Sequence, residues 1–231
     1  MRALPFLALL PALLGPGLAC AEPLHAALPE YRVLSSSESD SFEPALLQAL
    51  AESLEEALEL TERSEAADLR LGPAEVGPIY YQAAPAALTA NDGGVVDWQQ
   101  LQGQPFCVTV ASPYTPLIVQ RFGGQPREYP SAAHALIGLK LGECRAVVDD
   151  HLLLSEMAKL PEWRRYNTLL PALPEAELVL RVGAQSGTLQ GRLDALMQAW
   201  KGKGKLDELI RFWIDEVAFQ AYVLADTLDC H

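Results

Sequence analysis

Positive charge is what this sequence has least of: 17 Lys and Arg stand against 30 Asp and Glu, a formal net charge of −13 over 231 residues. Nucleic acid and anionic lipid both require clustered Lys and Arg, so neither is expected as a partner. The one basic cluster, Lys201-Gly202-Lys203-Gly204-Lys205, is short, broken by glycine, and reads as a solvated turn. Cysteine occurs four times and never as Cys-x-x-Cys, which removes the thiol-oxidoreductase motif. Histidine is equally sparse, and His25, His134, His151 and His231 stand apart from one another and from cysteine. Zinc-type spacing is therefore missing, and Asp149-Asp150-His151 reads as a strand end and helix cap before it reads as a metal site. Gly183-Ala184-Gln185-Ser186-Gly187 has the wrong spacing for a nucleophile elbow, and neither the P-loop nor the dinucleotide fingerprint occurs. No cofactor or metal is implied, no catalytic residue stands out, and the expectation is a binder, not an enzyme.

Long apolar runs are scarce too, apart from one at the start. Arg2, an apolar stretch from about Ala3 to Leu18 and the small tripeptide Ala19-Cys20-Ala21 form the pattern of a secretory signal cleaved after Ala21. Pro5, Pro11 and Pro16, with a length short of the roughly 20 residues a bilayer needs, argue against a span. Lipid attachment at Cys20 is the weaker alternative, since that pathway expects a branched apolar residue where Gly17 stands. The expected mature chain is periplasmic, with no membrane insertion of its own. It has 210 residues (231 less 21) and a net charge of −14, one below −13 because Arg2 is lost. Three cysteines remain, Cys107, Cys144 and Cys230, of which two commonly pair in an oxidising compartment.

Along the chain, Tyr31-Arg-Val-Leu-Ser35 reads as a strand. A helix from Ser41 to about Leu60 follows, its Leu47, Leu50, Leu54 and Leu58 stepping by three and four along one face. Ala67–Leu71 is a short strand closed by Gly72-Pro73. Pro73 to Pro85 is rich in proline and glycine and reads as irregular apart from Tyr80-Tyr81. Asn91-Asp-Gly-Gly94 signals a turn and marks a lobe boundary. Pro105–Ala111 is a strand, and Thr115 caps a helix opened by Pro116. A helix Ser131–Leu141, a strand Cys144–Val148 and a helix capped by Asp149-Asp150 continue the alternation of a parallel sheet. Glu177–Val182 is a strand, and helices at 188–200, 206–214 and 216–228 end the chain. Cys107 and Cys144 thus fall on neighbouring strands, where a disulfide and two buried thiols both remain open.

Several of these segments resemble family 3 solute-binding proteins, which serve ABC importers of polar amino acids. The carrying residues are Asp97-Trp98 through Gly103 to Val110, then Ala133-His-Ala-Leu136 through Gly142 to Asp150. Leu178–Val182 with Gly187-Thr188-Leu189, and Ser41-Phe42-Glu43 at the first helix, complete the likeness. The resemblance implies an α/β, type II periplasmic binding-protein-like fold of two lobes, each a small, mostly parallel sheet flanked by helices. It divides the chain into a signal peptide 1–21, lobe 1 at 22–90 plus 176–231, and lobe 2 at 91–175, hinged near Leu88–Gly94 and Leu173–Glu177. It implies a small polar solute in the cleft and an ABC permease as partner. On that likeness Thr115 touches the ligand carboxylate and Asp150 takes its amino group. Ser112 is a further ligand-binding candidate, and Tyr80, Tyr81 and Tyr114 are aromatics able to line the same cleft.

The sequence also departs from the pattern. Ser35–Asp40 stands where a loop of a dozen or more residues is expected, and no helix precedes Ala67. Gly72–Tyr81 carries no arginine where a carboxylate-gripping fork belongs, and Arg70 is the nearest substitute. The first lobe is therefore expected to be abbreviated. A degenerate accessory or sensor module that binds a partner protein stays open beside the solute-binding reading.

Overall fold

Ser131, Asp150 and Ser186 each close an extended segment and open a helix. Their side-chain oxygens accept the amides of His134, Leu153 and Leu189, satisfying donors that the first helical turn would otherwise orphan. In the computed structural model, which describes residues 22–61 and 64–229, these junctions set a repeated strand-to-helix turn. The expected leader, Cys20 and Cys230 lie outside the described residues.

The strands are β1 (Leu24–Ala27), β2 (Leu58–Thr61), β3 (Leu69–Gly72), β4 (Ile79–Ala83), β5 (Pro85–Thr89), β6 (Pro105–Thr109), β7 (Gln125–Tyr129), β8 (Ala146–Asp150), β9 (Thr168–Leu170) and β10 (Leu178–Ala184). The helices are α1 (Phe42–Leu54), α2 (Thr115–Phe122), α3 (Ala132–Lys140), α4 (His151–Met157), α5 (Gly187–Lys203) and α6 (Lys205–Asp229). They build a two-lobed α/β fold on two five-stranded sheets, ordered β2-β1-β3-β10-β4 and β7-β6-β8-β5-β9.

Each sheet is mixed but mostly parallel in strand direction, as expected: four of its five strands run one way, and β10 in the first sheet and β5 in the second run against them. Within it two pairings are parallel and two antiparallel. The reason is where the chain crosses. β4 ends at the seam between the sheets and β5 starts there, opposite the end of β8, with Pro85 paired to Asp150. β10 likewise starts beside the end of β4, Leu178 opposite Ala83. Strands that begin at the seam must run against those that end there.

The passage from the first sheet to the second lies at Ala84, not at Asn91–Gly94, and Leu88 sits fully buried in the middle of β5. Proline at 73, 78 and 85 disguised β4 and β5 as irregular chain. Asn91 instead anchors the β9 approach, its Oδ1 accepting the Asn167 amide and the Thr168 hydroxyl. Three further readings change. Tyr31–Ser35 is not a strand, because Leu34 takes a left-handed φ of 47°. The strand before α1 is β1, so the connecting loop has fourteen residues, 28–41, and is not shortened. Leu58 belongs to β2, since Glu55 at φ 60° ends α1 four residues after Ala51. The first lobe is cut down at one place only among these: a 3-10 turn, Ser64–Ala66, stands before β3 in place of a helix.

Two glycines carry the helix packing. A Cβ on Gly138 would lie 2.8 Å from Cys107 Sγ, so only glycine lets α3 lie this close to β6. Gly204, at φ 67°, turns α5 directly into α6. α6 is one helix of 25 residues, not two, because Asp215 faces solvent while Ile214, Val217 and Ala221 form the buried stripe. It packs on α1 and α5 of the first lobe and on α3 and α4 of the second, so it straps both together. Among the described residues, no helix is long and apolar enough to cross a membrane.

Cys107 on β6 and Cys144, two residues before β8, are joined by a disulfide across a Cα–Cα distance of 5.6 Å, closing a segment of sequence separation 37. Replacing both cysteines by alanine is expected to lower stability by about 2–4 kcal/mol, measured by urea denaturation under non-reducing conditions.

Candidate functional site

The carboxyl end of β8 brings Asp149 and Asp150 to the seam, and the whole strand is buried. Asp149 Oδ1 accepts the Asp150 amide at 2.8 Å, and Asp150 Oδ1 accepts the Leu153 amide at 3.0 Å as the cap of α4. Asp150 Oδ2 has no partner although the residue is fully buried. From the first lobe, Tyr81 on β4 brings its buried hydroxyl up to Asp150 as a donor, without closing an ordinary hydrogen bond to it or to any other group. Tyr114, at the entry to α2, shares the same neighbourhood, and its hydroxyl donates across the seam to Ala83 O at 3.5 Å.

Two residues that the sequence reading overlooked complete the cluster. Tyr31, on the 28–41 loop, packs edge-on against Tyr114 with ring centroids 6.5 Å apart and feels the field of Asp149 and Asp150. Glu43, in the first turn of α1, is fully buried; its Oε1 accepts the Val33 amide at 2.9 Å while Oε2 is unpartnered. The signal for Tyr31 was an aromatic in the loop before the first helix, hidden by reading that loop as a strand. The signal for Glu43 was an acid directly after Phe42, a position noted only for its likeness to a helix start.

The structure groups the expected residues unevenly. Tyr81, Tyr114 and Asp150 meet. Tyr80 is buried on the side of Glu43, against Phe42 at a ring-centroid distance of 6.1 Å, and its hydroxyl has no partner. Ser112 Oγ accepts the Tyr114 amide, so it shapes the turn into α2. Thr115 is the first residue of α2 and not its cap, a place taken by Tyr114; its Oγ1 is buried without a partner and its amide is bonded to Ser112 O. Arg70 is bound to Glu75 at 3.3 Å and does not replace the missing arginine fork.

The lobes touch directly. Ser131 Oγ donates to Ser36 O and the Ala132 amide to Ser35 O, each at 3.1 Å, so the start of α3 is capped by the first-lobe loop. Tyr80, Tyr81 and Asp150 are all at most 1% exposed, and four cavities of about 230 to 570 Å³ among the described residues are lined by other side chains. The seam is thus closed, where an open crevice was expected. Among the described residues, no group of three or more His, Cys, Asp or Glu is placed to hold a metal ion.

Burial sets the electrostatics. Desolvation raises the Asp149 carboxyl well above the usual range, with the Asp150 charge adding to it, and desolvation raises Asp150 as well. Burial pushes Glu43 up to about 8, against the opposing pull of the Val33 amide, its own amide, the Arg32 charge and the Ser41 hydroxyl. Tyr31, Tyr80, Tyr81 and Tyr114 are raised by burial first and by the acids second, so they stay neutral donors.

No protein-family model matches the chain, and no curated protein matches its sequence. Solved structures do share its fold. The arginine-, lysine-, histidine-binding protein ArtJ from Geobacillus stearothermophilus superposes with a TM-score of 0.58 at 15% identity, over 83% of this chain and 95% of that one. AbpA, an amino acid ABC transporter substrate-binding protein from Streptococcus pneumoniae bound to L-arginine, gives 0.61 at 15% identity, over 84% and 95%. AncCDT-1, an ancestral amino acid-binding protein and precursor of cyclohexadienyl dehydratase, gives 0.60 at 15%, over 83% and 95%. At these identities the likeness establishes the two-lobed binding-protein fold.

A carboxyl whose folded-state pKa lies above its unfolded value keeps a proton that the unfolded chain releases. Stability is then greatest below about pH 4, the unfolded value, and is lost as pH rises through the folded one. For Glu43 that loss extends to about pH 8. Glu43→Gln retains an acceptor for the Val33 amide and is expected to flatten the decline by up to about 1.4 kcal/mol per pH unit, read from urea midpoints taken between pH 5 and pH 8.

Proposed function

We propose that this chain is a periplasmic solute-binding protein that holds a small polar, amino-acid-like solute between its lobes and delivers it to an ABC-type permease. The observation that carries the reading is the meeting of buried polar atoms from both lobes at one seam: Tyr81 Oη of the first lobe and Asp150 Oδ2 of the second act on each other, and neither has a further partner. Each orphaned buried group costs about 1–3 kcal/mol, and a set gathered at one interface is what a missing polar occupant leaves behind. Similar folds in ArtJ and AbpA are described as binding amino acids, which supports the same class of use. The lobes in this reading are 22–84 plus 176–231 and 85–175, with strands crossing at Ala84 and at 171–177 as hinges. Binding alone, without catalysis, is the role proposed.

A second reading has its own support. α6 and the Ser35–Ser36 carbonyls tie the lobes together through contacts of the chain's own, which suits a module that does not open and presents its surface to a partner protein.

Thermal denaturation against amino acids, amines, small carboxylates and sugars separates the two. A true ligand at a hundred times its dissociation constant is expected to add about 2.7 kcal/mol. A flat response across that panel, with a specific membrane or periplasmic protein co-purifying, would establish the second reading in place of the first.

A further inference from the structure

We infer that the solute is a small organic cation that carries no carboxylate, its ammonium or amidinium group received by Asp149 and Asp150 among Tyr31, Tyr81 and Tyr114. This rests on the solute-binding reading and narrows it.

The charge inventory of the seam is one-sided. Three carboxyls are buried there, Glu43, Asp149 and Asp150, at exposures of 0%, 4% and 0%. Among the described residues, Arg32 acts on Glu43 and the neighbouring His151 ring on Asp150. Three of the described first-lobe arginines are engaged elsewhere: Arg70 with Glu75, Arg181 with Gly77 O, and Arg192 with Glu56 and Leu54 O. A ligand carboxylate entering beside Asp149 and Asp150 would be desolvated next to acids, while the guanidinium of Arg32 acts on Glu43 and not on that pair, an unfavourable arrangement for an anion.

Backbone donors do not repair this. The Ala132 amide at the start of α3 is taken by Ser35 O, and the Thr115 amide at the start of α2 by Ser112 O. What stands at the centre is an acceptor, Asp150 Oδ2, which the phenol of Tyr81 approaches as a donor without closing an ordinary hydrogen bond. An alkylammonium or amidinium supplies N–H donors for that oxygen and charge for the pair, and aromatic rings around a desolvated cation add cation–π attraction.

The test compares decarboxylated pairs on the mature wild-type chain by calorimetry and thermal shift: agmatine against arginine, and putrescine against ornithine. The amine is expected to bind about tenfold or more tightly than its amino acid. Asp150→Asn keeps the α4 cap, since Asn caps as well as Asp, and is expected to weaken amine binding about tenfold or more; Asp149→Asn acts in the same direction. Preference for the amino acids would overturn this inference and leave the solute-binding reading standing. Amine affinity unchanged in both variants would overturn it as well. No response to either member of each pair, nor to any other solute, would end both.

Discussion

Desolvated acid at the meeting point of two sheets is the constraint from which the rest of this structure follows. Asp150 spends one oxygen on the amide of Leu153, and so fixes where β8 stops and α4 begins. Its backbone is opposite Pro85, where the chain first enters the second sheet, so the cap, the crossing and the unpartnered oxygen occupy one place. Removing water from that oxygen costs free energy that local geometry does not return, and the cost recurs at Glu43 on the facing lobe. Fold and site are thus not separable here: the residue that terminates a strand is also the one that leaves a charge without an answer.

The neighbouring tyrosines moderate this without cancelling it. Their hydroxyls are held neutral by burial, so they offer donors without adding charge, and the Tyr114 hydroxyl reaches only the Ala83 carbonyl. The first-lobe loop contributes closure by a different route, through carbonyls of Ser35 and Ser36 laid on the start of α3. Polar contacts of this sort between lobes are easily exchanged for water, unlike the apolar stripe of α6.

Much of this was legible in the residues. The helices α2, α3, α4 and α5 announce themselves by a cap at Ser131, Asp150 or Ser186, or by Pro116 in the first turn, and β6 and β8 by their apolar, branched runs. These are local signals, and local signals also located Asp150, Tyr81 and Tyr114. What escaped was non-local. β1 and β2 are four residues each, and β1, Leu-His-Ala-Ala, has little intrinsic strand preference; pairing with β2 and β3 makes it a strand. β4 and β5 hide among prolines, and only their sheet partners reveal that the crossing lies between them. Mistaking Tyr31–Ser35 for β1 removed the loop that carries Tyr31, and so one wall of the site. The unpaired state of Glu43 depends on which groups surround it in space, which no spacing rule encodes.

The strap formed by α6 bears on timing. Val217 and Ala221 are fully buried in a helix that rests on both lobes, so separating the lobes means peeling apolar surface off α3 and α4 as well as breaking polar contacts at the seam. The rate at which the seam opens is therefore set by that apolar separation together with the polar contacts, and not by the polar contacts alone.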